Sequence, residues 1–405
     1  MNSTFSWWSS DVATPLRLNL IVFILLLPCL VQSFLSSCPA DKHKFVPRAA
    51  SLEDEYDDSK IGYRLVIFGL GNIGSLVATT ASFQKDRSVG QGAPFFEHIC
   101  GTTRSSLKNL PGVQSIPFDD YQTLAENLQR CTHILVTIPP VKPPTDLDPN
   151  VDDTIIGGRP RRWKYFCDPV LNHPKFSLNE LVPANTWIGY VSSTSVYGNH
   201  DGAWVTEESK VNSLCGTKGE LYFRAENEWR GAAREFGWRL HVFRASGLYG
   251  NTRSALHTVR NGKFDESEHK SESNEASFTS RIHEEDVTRA VISAMQYNEP
   301  LAGNSCIWNL ADDYPASRAE VMLFGKALLK EANLLPQKSS VFNSMLSKSQ
   351  SNQTERVRRR STDKKRVQNQ RMKSLLLSDG QLIYPTYREG LNSILGFNRK
   401  EWTSK

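Results

Sequence analysis

An α/β fold, built on a doubly wound parallel sheet with a small C-terminal α/β lobe, is predicted by three features of this 405-residue sequence. Strand and helix patterns alternate from Tyr63 onward, a glycine-rich turn joins the first strand to the first helix, and the strands read as continuous apolar runs. Continuous runs belong to strands covered on both faces, and strand–helix alternation marks parallel crossover units. Composition agrees: apolar residues make up 39%, and the 25 glycines bring the share to about 45%, the range of globular domains.

The first strand is Tyr63–Gly69, which runs into Gly69-Leu70-Gly71-Asn72-Ile73-Gly74 before a helix pattern from Ser75 to Phe83. A GxGxxG motif set between strand and helix has a mechanism. Gly69 permits the tight turn, Gly71 lets backbone approach a pyrophosphate, and Gly74 lets helix and strand pack closely. The helix N-terminal amides, those of Asn72 and Ile73 among them, then face the diphosphate. This is the Rossmann-type arrangement; the competing reading is a plain glycine turn in an α/β unit.

The second strand, His98–Arg104, follows a loop containing Gly90 and Gly92. An NAD-preferring site places an acid at this strand's end, for the ribose 2′-hydroxyl. Here Thr102, Thr103 and Arg104 stand instead. A guanidinium suits a 2′-phosphate, which points to NADP. If Arg104 only stacks on adenine, NAD is accommodated too. Val113–Phe118 is the third strand and Tyr121–Arg130 a helix. Thr132–Ile138 is the fourth strand, closed by Pro139-Pro140, which sets Thr137 and Pro139 near the nicotinamide ribose. Trp187–Gly198 is the fifth strand running into a turn.

Here a family resemblance becomes specific. Ser192-Ser193-Thr194-Ser195-Val196-Tyr197-Gly198 resembles the SSxxVYG segment of the extended short-chain dehydrogenases, the nucleotide-sugar epimerases and dehydratases. Arg244–Gly250 resembles their sixth-strand RxxGxYG element, Arg281–Val287 their RIHxxDV element, and Trp308–Asp313 with Pro315–Leu329 their closing strand and helix. Lys365–Asn369 and Tyr384–Gly390 resemble a subgroup carrying GxGxxG. The likeness spans about residues 63–395. It implies a nicotinamide cofactor and a hydroxyl- or carbonyl-bearing small molecule, a nucleotide sugar among the candidates. It also implies substrate contacts at Arg244, Tyr249, Arg281 and His283.

Members of that family use a Ser or Thr after strand five and a Tyr-x-x-x-Lys pair on the next helix. The lysine lowers the tyrosine pKa, and the tyrosinate moves the substrate proton. Counted from Ser193, those positions hold Lys218 and Tyr222, the two types exchanged, while Glu226 falls in the family's register. Their spacing of four keeps both on one helix face. Three readings stay open. Lys218 and Tyr222 cooperate from exchanged positions, with Ser193 or Thr194 holding the substrate oxygen. Alternatively, Tyr197 supplies the hydroxyl. In the third, hydride chemistry is lost and the chain is an NADP(H)-binding sensor or scaffold.

The remaining segments read as address and inserts. Leu18–Leu27 is too short for a comfortable span and has the shape of a signal-peptide h-region, with cleavage before Phe34 (residues 1–33). Residues 34–60 combine a basic, transit-like stretch with the acidic linker 52–60; together they look like a bipartite plastid signal, the alternative being the endoplasmic reticulum or secretion. Residues 61–250 are read as the dinucleotide domain and 251–336 as the substrate lobe, with a flexible insert at 264–278. Residues 337–363 are read as a basic disordered insert and 364–405 as a C-terminal element. Pro143–Arg162 is a further loop.

The net charge of +5 is local: residues 338–373 alone carry +9, leaving about −4 elsewhere, so no basic groove and no nucleic-acid partner is expected. No stable membrane span is expected once the leader is cleaved, and a homodimer is compatible with the pattern. Seven cysteines without a CxxC pair argue against a disulfide framework or a zinc site, and no metal is expected. Cys100 and Cys131 are expected in strands as small buried apolar residues.

Overall fold

The chain opens with β1 (Tyr63–Phe68), α1 (Asn72–Gln84), β2 (Phe96–Thr103), β3 (Gln114–Pro117), α2 (Tyr121–Leu128) and β4 (His133–Val136). After α3 (Leu178–Leu181) come β5 (Trp187–Ser193), a 3-10 turn at Thr194–Tyr197, the short β6 (Trp204–Val205) and the long α4 (Lys218–Phe236). Then follow β7 (Arg239–Ala245), β8 (Gly247–Tyr249), α5 (Ala255–Arg260), β9 (Arg281–His283), α6 (Glu284–Ala294), β10 (Ser305–Leu310) and α7 (Arg318–Glu331). The last elements are β11 (Arg366–Val367), α8 (Gln370–Leu376) and α9 (Tyr387–Thr403).

The computed structural model describes residues 62–84, 96–104, 106–142, 167–173, 175–214, 217–264, 278–297, 305–335 and 364–403. The expected leader, transit-like segment and acidic linker lie outside these residues. So do the 143–162 loop, nearly all of the 264–278 insert and the 337–363 insert.

Seven strands form one sheet in the order β10-β7-β5-β4-β1-β2-β3, every neighbouring pair parallel. The chain steps outward from β1 to β2 and β3, then returns to β4 on the other side of β1. That reversal is the switch point at which an open α/β sheet presents a crevice beyond its strand ends. Side chains of β1 divide between two cores as a strand covered on both faces requires. Leu65 and Ile67 join Val77, Val291 and Trp308, whereas Val66 and Phe68 join Ile134, Tyr190 and Trp229. A third cluster, including Tyr249, Leu256, Val321, Tyr387 and Trp402, packs α5, α7 and α9 together as a smaller lobe. The strand β10, from the stretch read as substrate lobe, pairs with β7 instead and completes the main sheet.

Three boundaries differ from the sequence reading. β5 stops at Ser193 because the Ser193 hydroxyl accepts from the Ser195 amide and caps a 3-10 turn. The Arg244–Gly250 element splits, since Arg244 and Ala245 end β7 while Gly247–Tyr249 pairs with β9. Cys131 precedes β4 rather than lying in a strand. It is nonetheless buried, as are Cys100, Cys167 and Cys306, all with free thiols. Burial pushes the Cys100, Cys131 and Cys306 thiols up to about 12, so none is poised as a thiolate.

Two core histidines give the fold an acid sensitivity. His241 accepts from the Trp308 indole at 3.1 Å, and His133 Nε2 lies 3.1 Å from the Met295 carbonyl oxygen. Burial lowers His133 to about 4 and His241 to about 3. The unfolded chain takes up protons near pH 6.5 that the folded chain refuses until far lower. Their contribution is therefore complete above pH 6.5 and is lost as pH falls towards 3. Each pH unit separating folded from unfolded titration is worth about 1.4 kcal/mol, so each histidine contributes roughly a few kcal/mol. The urea midpoint is expected to fall between pH 7 and pH 5, and less steeply in His241→Gln. Equal midpoints at the two pH values would contradict this.

Candidate active site

The loop after β1 is built around three glycines with three different constraints. Gly69 has φ +100°, a left-handed conformation that other residues rarely adopt. Its amide donates to Thr102 Oγ1 at 3.0 Å, and its carbonyl accepts from Thr137 Oγ1 at 2.6 Å. The ends of β1, β2 and β4 are thus tied to one residue. A Cβ on Gly74 would lie 2.1 Å from the Gly69 carbonyl oxygen, so helix and turn leave no room there. A Cβ on Gly71 would meet no protein atom within 4 Å. Protein packing constrains Gly74, whereas the space over Gly71 is open to a ligand, and the cradle fits a diphosphate.

Other expected cofactor residues fall around this cradle in different roles. Asn72 opens α1, with its side chain held away by protein partners. Ile73 points into the core, leaving only its backbone for the ligand. Thr103 is half-buried at the end of β2, and Arg104 beyond it is exposed. Pro139 is exposed past β4. Sequence reasoning missed Lys108, whose ammonium donates to Ser75 Oγ at 3.0 Å and so places a positive charge over the first turn of α1. A base four residues beyond Arg104 was the available signal.

The elements that carry the expected catalytic residues meet at one point. A Cβ on Gly219 would lie 2.3 Å from the Ser195 carbonyl oxygen, so the start of α4 rests directly on the Thr194–Tyr197 turn. Thr217 caps α4 by accepting from the Glu220 amide. Lys218 is exposed in its first turn, with Nζ 5.5 Å from the Tyr222 ring centroid. Tyr222 is buried among Val196, Tyr197, Val205, Ala311 and Val367. Burial raises its pKa, against the lowering a proton-moving tyrosine needs. The lysine stands over the ring rather than activating the hydroxyl. Ser193 spends its hydroxyl on the turn, and Thr194 is buried beside it.

Tyr197 is corrected to a core residue. It is fully buried, its hydroxyl donates to Asn309 Oδ1 at 2.7 Å, and burial raises its pKa.

The four expected substrate contacts do not form one site. Arg244 is buried at 2% exposure and bonded through Nε and Nη2 to Glu226, which also accepts from Ser192 and Arg230. Burial would lower its pKa; Glu226 more than reverses this. Its job is internal. Tyr249 is buried, with its hydroxyl 3.4 Å from the Thr386 carbonyl oxygen. Arg281 donates to the carbonyls of Thr279 and Ala316. His283 caps α6 by accepting from the Glu285 amide, lies tilted against the Tyr384 ring and edge-on to Tyr249, and is lowered by burial to about 4. These three hold β8, β9 and the C-terminal elements together, and the contacts that all four make in the structure are with the protein itself.

A cavity of about 1090 Å³ opens between α1, α6 and residues 374–383 and is lined by none of the expected site residues. The strand ends, not this concavity, define the candidate site. Among the described residues, no His, Cys, Asp or Glu side chains are grouped as a metal site, and no helix is long and apolar enough to cross a membrane.

No family model matches the chain, and no curated protein matches its sequence. Solved structures do match. A functionally unknown conserved protein from Silicibacter pomeroyi DSS is 23% identical with a TM-score of 0.55, covering 83% of this chain and 99% of that one. MoeE5 in complex with UDP-glucuronic acid and NAD is 16% identical with a TM-score of 0.54, over 84% and 99% of the two chains. The dTDP-glucose 4,6-dehydratase of Bacillus anthracis, in complex with NAD, is 12% identical with a TM-score of 0.52, over 84% and 98%. The described chain has a Rossmann-type fold. More narrowly, it is the fold these nucleotide-sugar enzymes share.

Proposed function

We propose that the protein binds a nicotinamide dinucleotide in the Gly69–Gly74 cradle and is an epimerase/dehydratase-like oxidoreductase acting on a hydroxyl- or carbonyl-bearing small molecule. The observation that carries this reading is the cradle at the switch point, tight at Gly74 and open over Gly71. Arg104 and Lys108 supply the positive charge that selects NADP over NAD through a 2′-phosphate. NAD in the complexes of similar structures supports the dinucleotide class, and their nucleotide sugars make that substrate class the first to assay.

When bound, the nicotinamide supplies the hydride donor or acceptor. Thr194 and Ser193 then border the substrate oxygen, and the exposed Lys218 ammonium donates to it from the first turn of α4. Tyr222 offers its ring face to the Lys218 ammonium, 5.5 Å from the centroid. A second reading, an NADP(H)-binding sensor without turnover, is favoured by the upward shift of Tyr222.

Nicotinamide absorbance with UDP- and dTDP-sugars separates the two. The enzyme reading expects substrate-dependent change that Lys218→Ala lowers about 100-fold, the scale of a lost acid–base or oxyanion group. NADPH affinity is expected to persist in that variant. NADPH binding without turnover of any such sugar would leave the sensor.

A further inference from the structure

Glu284, the first residue of α6, departs from the apolar packing around it. It is 4% exposed, and its two carboxylate oxygens serve two distant elements. Oε2 accepts from Asn72 Nδ2 at 2.6 Å, in the dinucleotide cradle. Oε1 accepts from the Asn251 amide at 2.9 Å, in the turn that leads into α5 and the smaller lobe. Thr252 Oγ1 closes the ring by donating to Asn72 Oδ1 at 3.3 Å. From the other side, Asn398 of α9 donates to the Asn251 carbonyl at 3.4 Å. A Cβ on Gly250 would lie 1.9 Å from the Glu284 carboxyl carbon, so the glycine there makes room for the carboxylate itself.

We propose that Glu284 is a positioning residue that couples dinucleotide binding at the 69–74 loop to ordering of the 250–254 turn. This rests on the reading that the loop takes a nicotinamide dinucleotide. Each link in the chain is a direct contact. Anion binding at the start of α1 fixes the loop that carries Asn72. Asn72 fixes one carboxylate oxygen, and a buried carboxylate held at one end positions its other oxygen. That oxygen holds the Asn251 amide and therefore the entry to α5. Coupling of this kind is reciprocal, so an ordered turn also strengthens cofactor binding.

The cooperating donors decide what each substitution does. Glu284→Ala strands both Asn72 and the Asn251 amide. Glu284→Gln has one acceptor oxygen and satisfies only one of them. Gly250→Ala keeps the charge but pushes the carboxylate aside.

The test uses the full chain, NADPH as the probe, and hydrogen exchange read at residues 250–254. In the wild type, NADPH is expected to slow exchange there about tenfold, within the range for coupled sites. In Glu284→Ala and Gly250→Ala the slowing is expected to vanish although NADPH still binds, about tenfold more weakly; Glu284→Gln is expected to fall between. NADPH binding with unchanged exchange at 250–254 in the wild type would overturn the coupling and leave the cofactor reading standing. Slowing that survives in Gly250→Ala and Glu284→Gln would overturn it equally, even if Glu284→Ala does not fold. A wild type that binds no NADPH overturns the cofactor reading, and the coupling with it.

Discussion

Glu226→Ala is expected to lower the folding free energy by about 3–5 kcal/mol, the cost of stripping one partner from a buried ion pair. Glu226 has no exposed surface, and Arg244 beside it is 2% exposed. Three side chains converge on the carboxylate: Ser192 at 2.6 Å, Arg244 at 2.7 and 3.0 Å, and Arg230 at 2.8 Å. Without it, the Arg244 guanidinium keeps only the Tyr197 ring, 4.8 Å from the guanidinium carbon to the centroid. A cation–π contact is worth about 2 kcal/mol at most when desolvated, too little to offset the burial of a charge. Replacing both partners, as Glu226→Leu with Arg244→Met, is expected to recover most of the loss, because the desolvation cost disappears together with the attraction. Urea unfolding of the two single variants and the double measures this. A loss below about 1 kcal/mol for Glu226→Ala would mean that the pair contributes little to holding β5, β7 and α4 together.

Gly71→Asp is expected to reduce NADPH affinity about a thousandfold while leaving the urea midpoint nearly unchanged. A new carboxylate about 4 Å from a phosphate costs about 4 kcal/mol at the effective dielectric of a protein surface, and each 1.4 kcal/mol is tenfold. The side chain enters space free of protein atoms, so the fold has no reason to suffer. Gly74→Ala is the informative contrast. Its Cβ meets backbone at 2.1 Å, and binding is lost there only through damage to the strand–helix turn. Isothermal titration beside urea unfolding distinguishes the two. Undiminished NADPH affinity in Gly71→Asp would remove the cradle from the cofactor site.

The sheet was legible because its signals are local and periodic. β1, the glycine turn and α1 appear where the GxGxxG motif places them. That Lys218 and Tyr222 lie on one face of α4 was legible through spacing alone, since positions four apart share a helix face. What escaped were pairings made across the chain. Arg244 reads as a substrate contact by resemblance, and only the fold brings Glu226 against it from another element. Tyr197 reads as a free hydroxyl until Asn309, 112 positions away, accepts its hydrogen bond. No periodicity marks the approach of Glu284 to Asn72 over 212 positions. The exchange of Lys218 and Tyr222 was visible in the sequence, but its outcome depends on ring orientation, and orientation is set by packing.

The place of β10 has a consequence for how the chain is made. The strand that seals β7 is drawn from residues 305–310, sixty positions after β7 ends at Ala245. During synthesis, the first six strands of the sheet leave the ribosome with β7 as a bare margin of unpaired amides and carbonyls, a template for pairing with another chain. A fragment ending at residue 250 is therefore expected to self-associate more readily than the whole chain, which size-exclusion chromatography of the two would show.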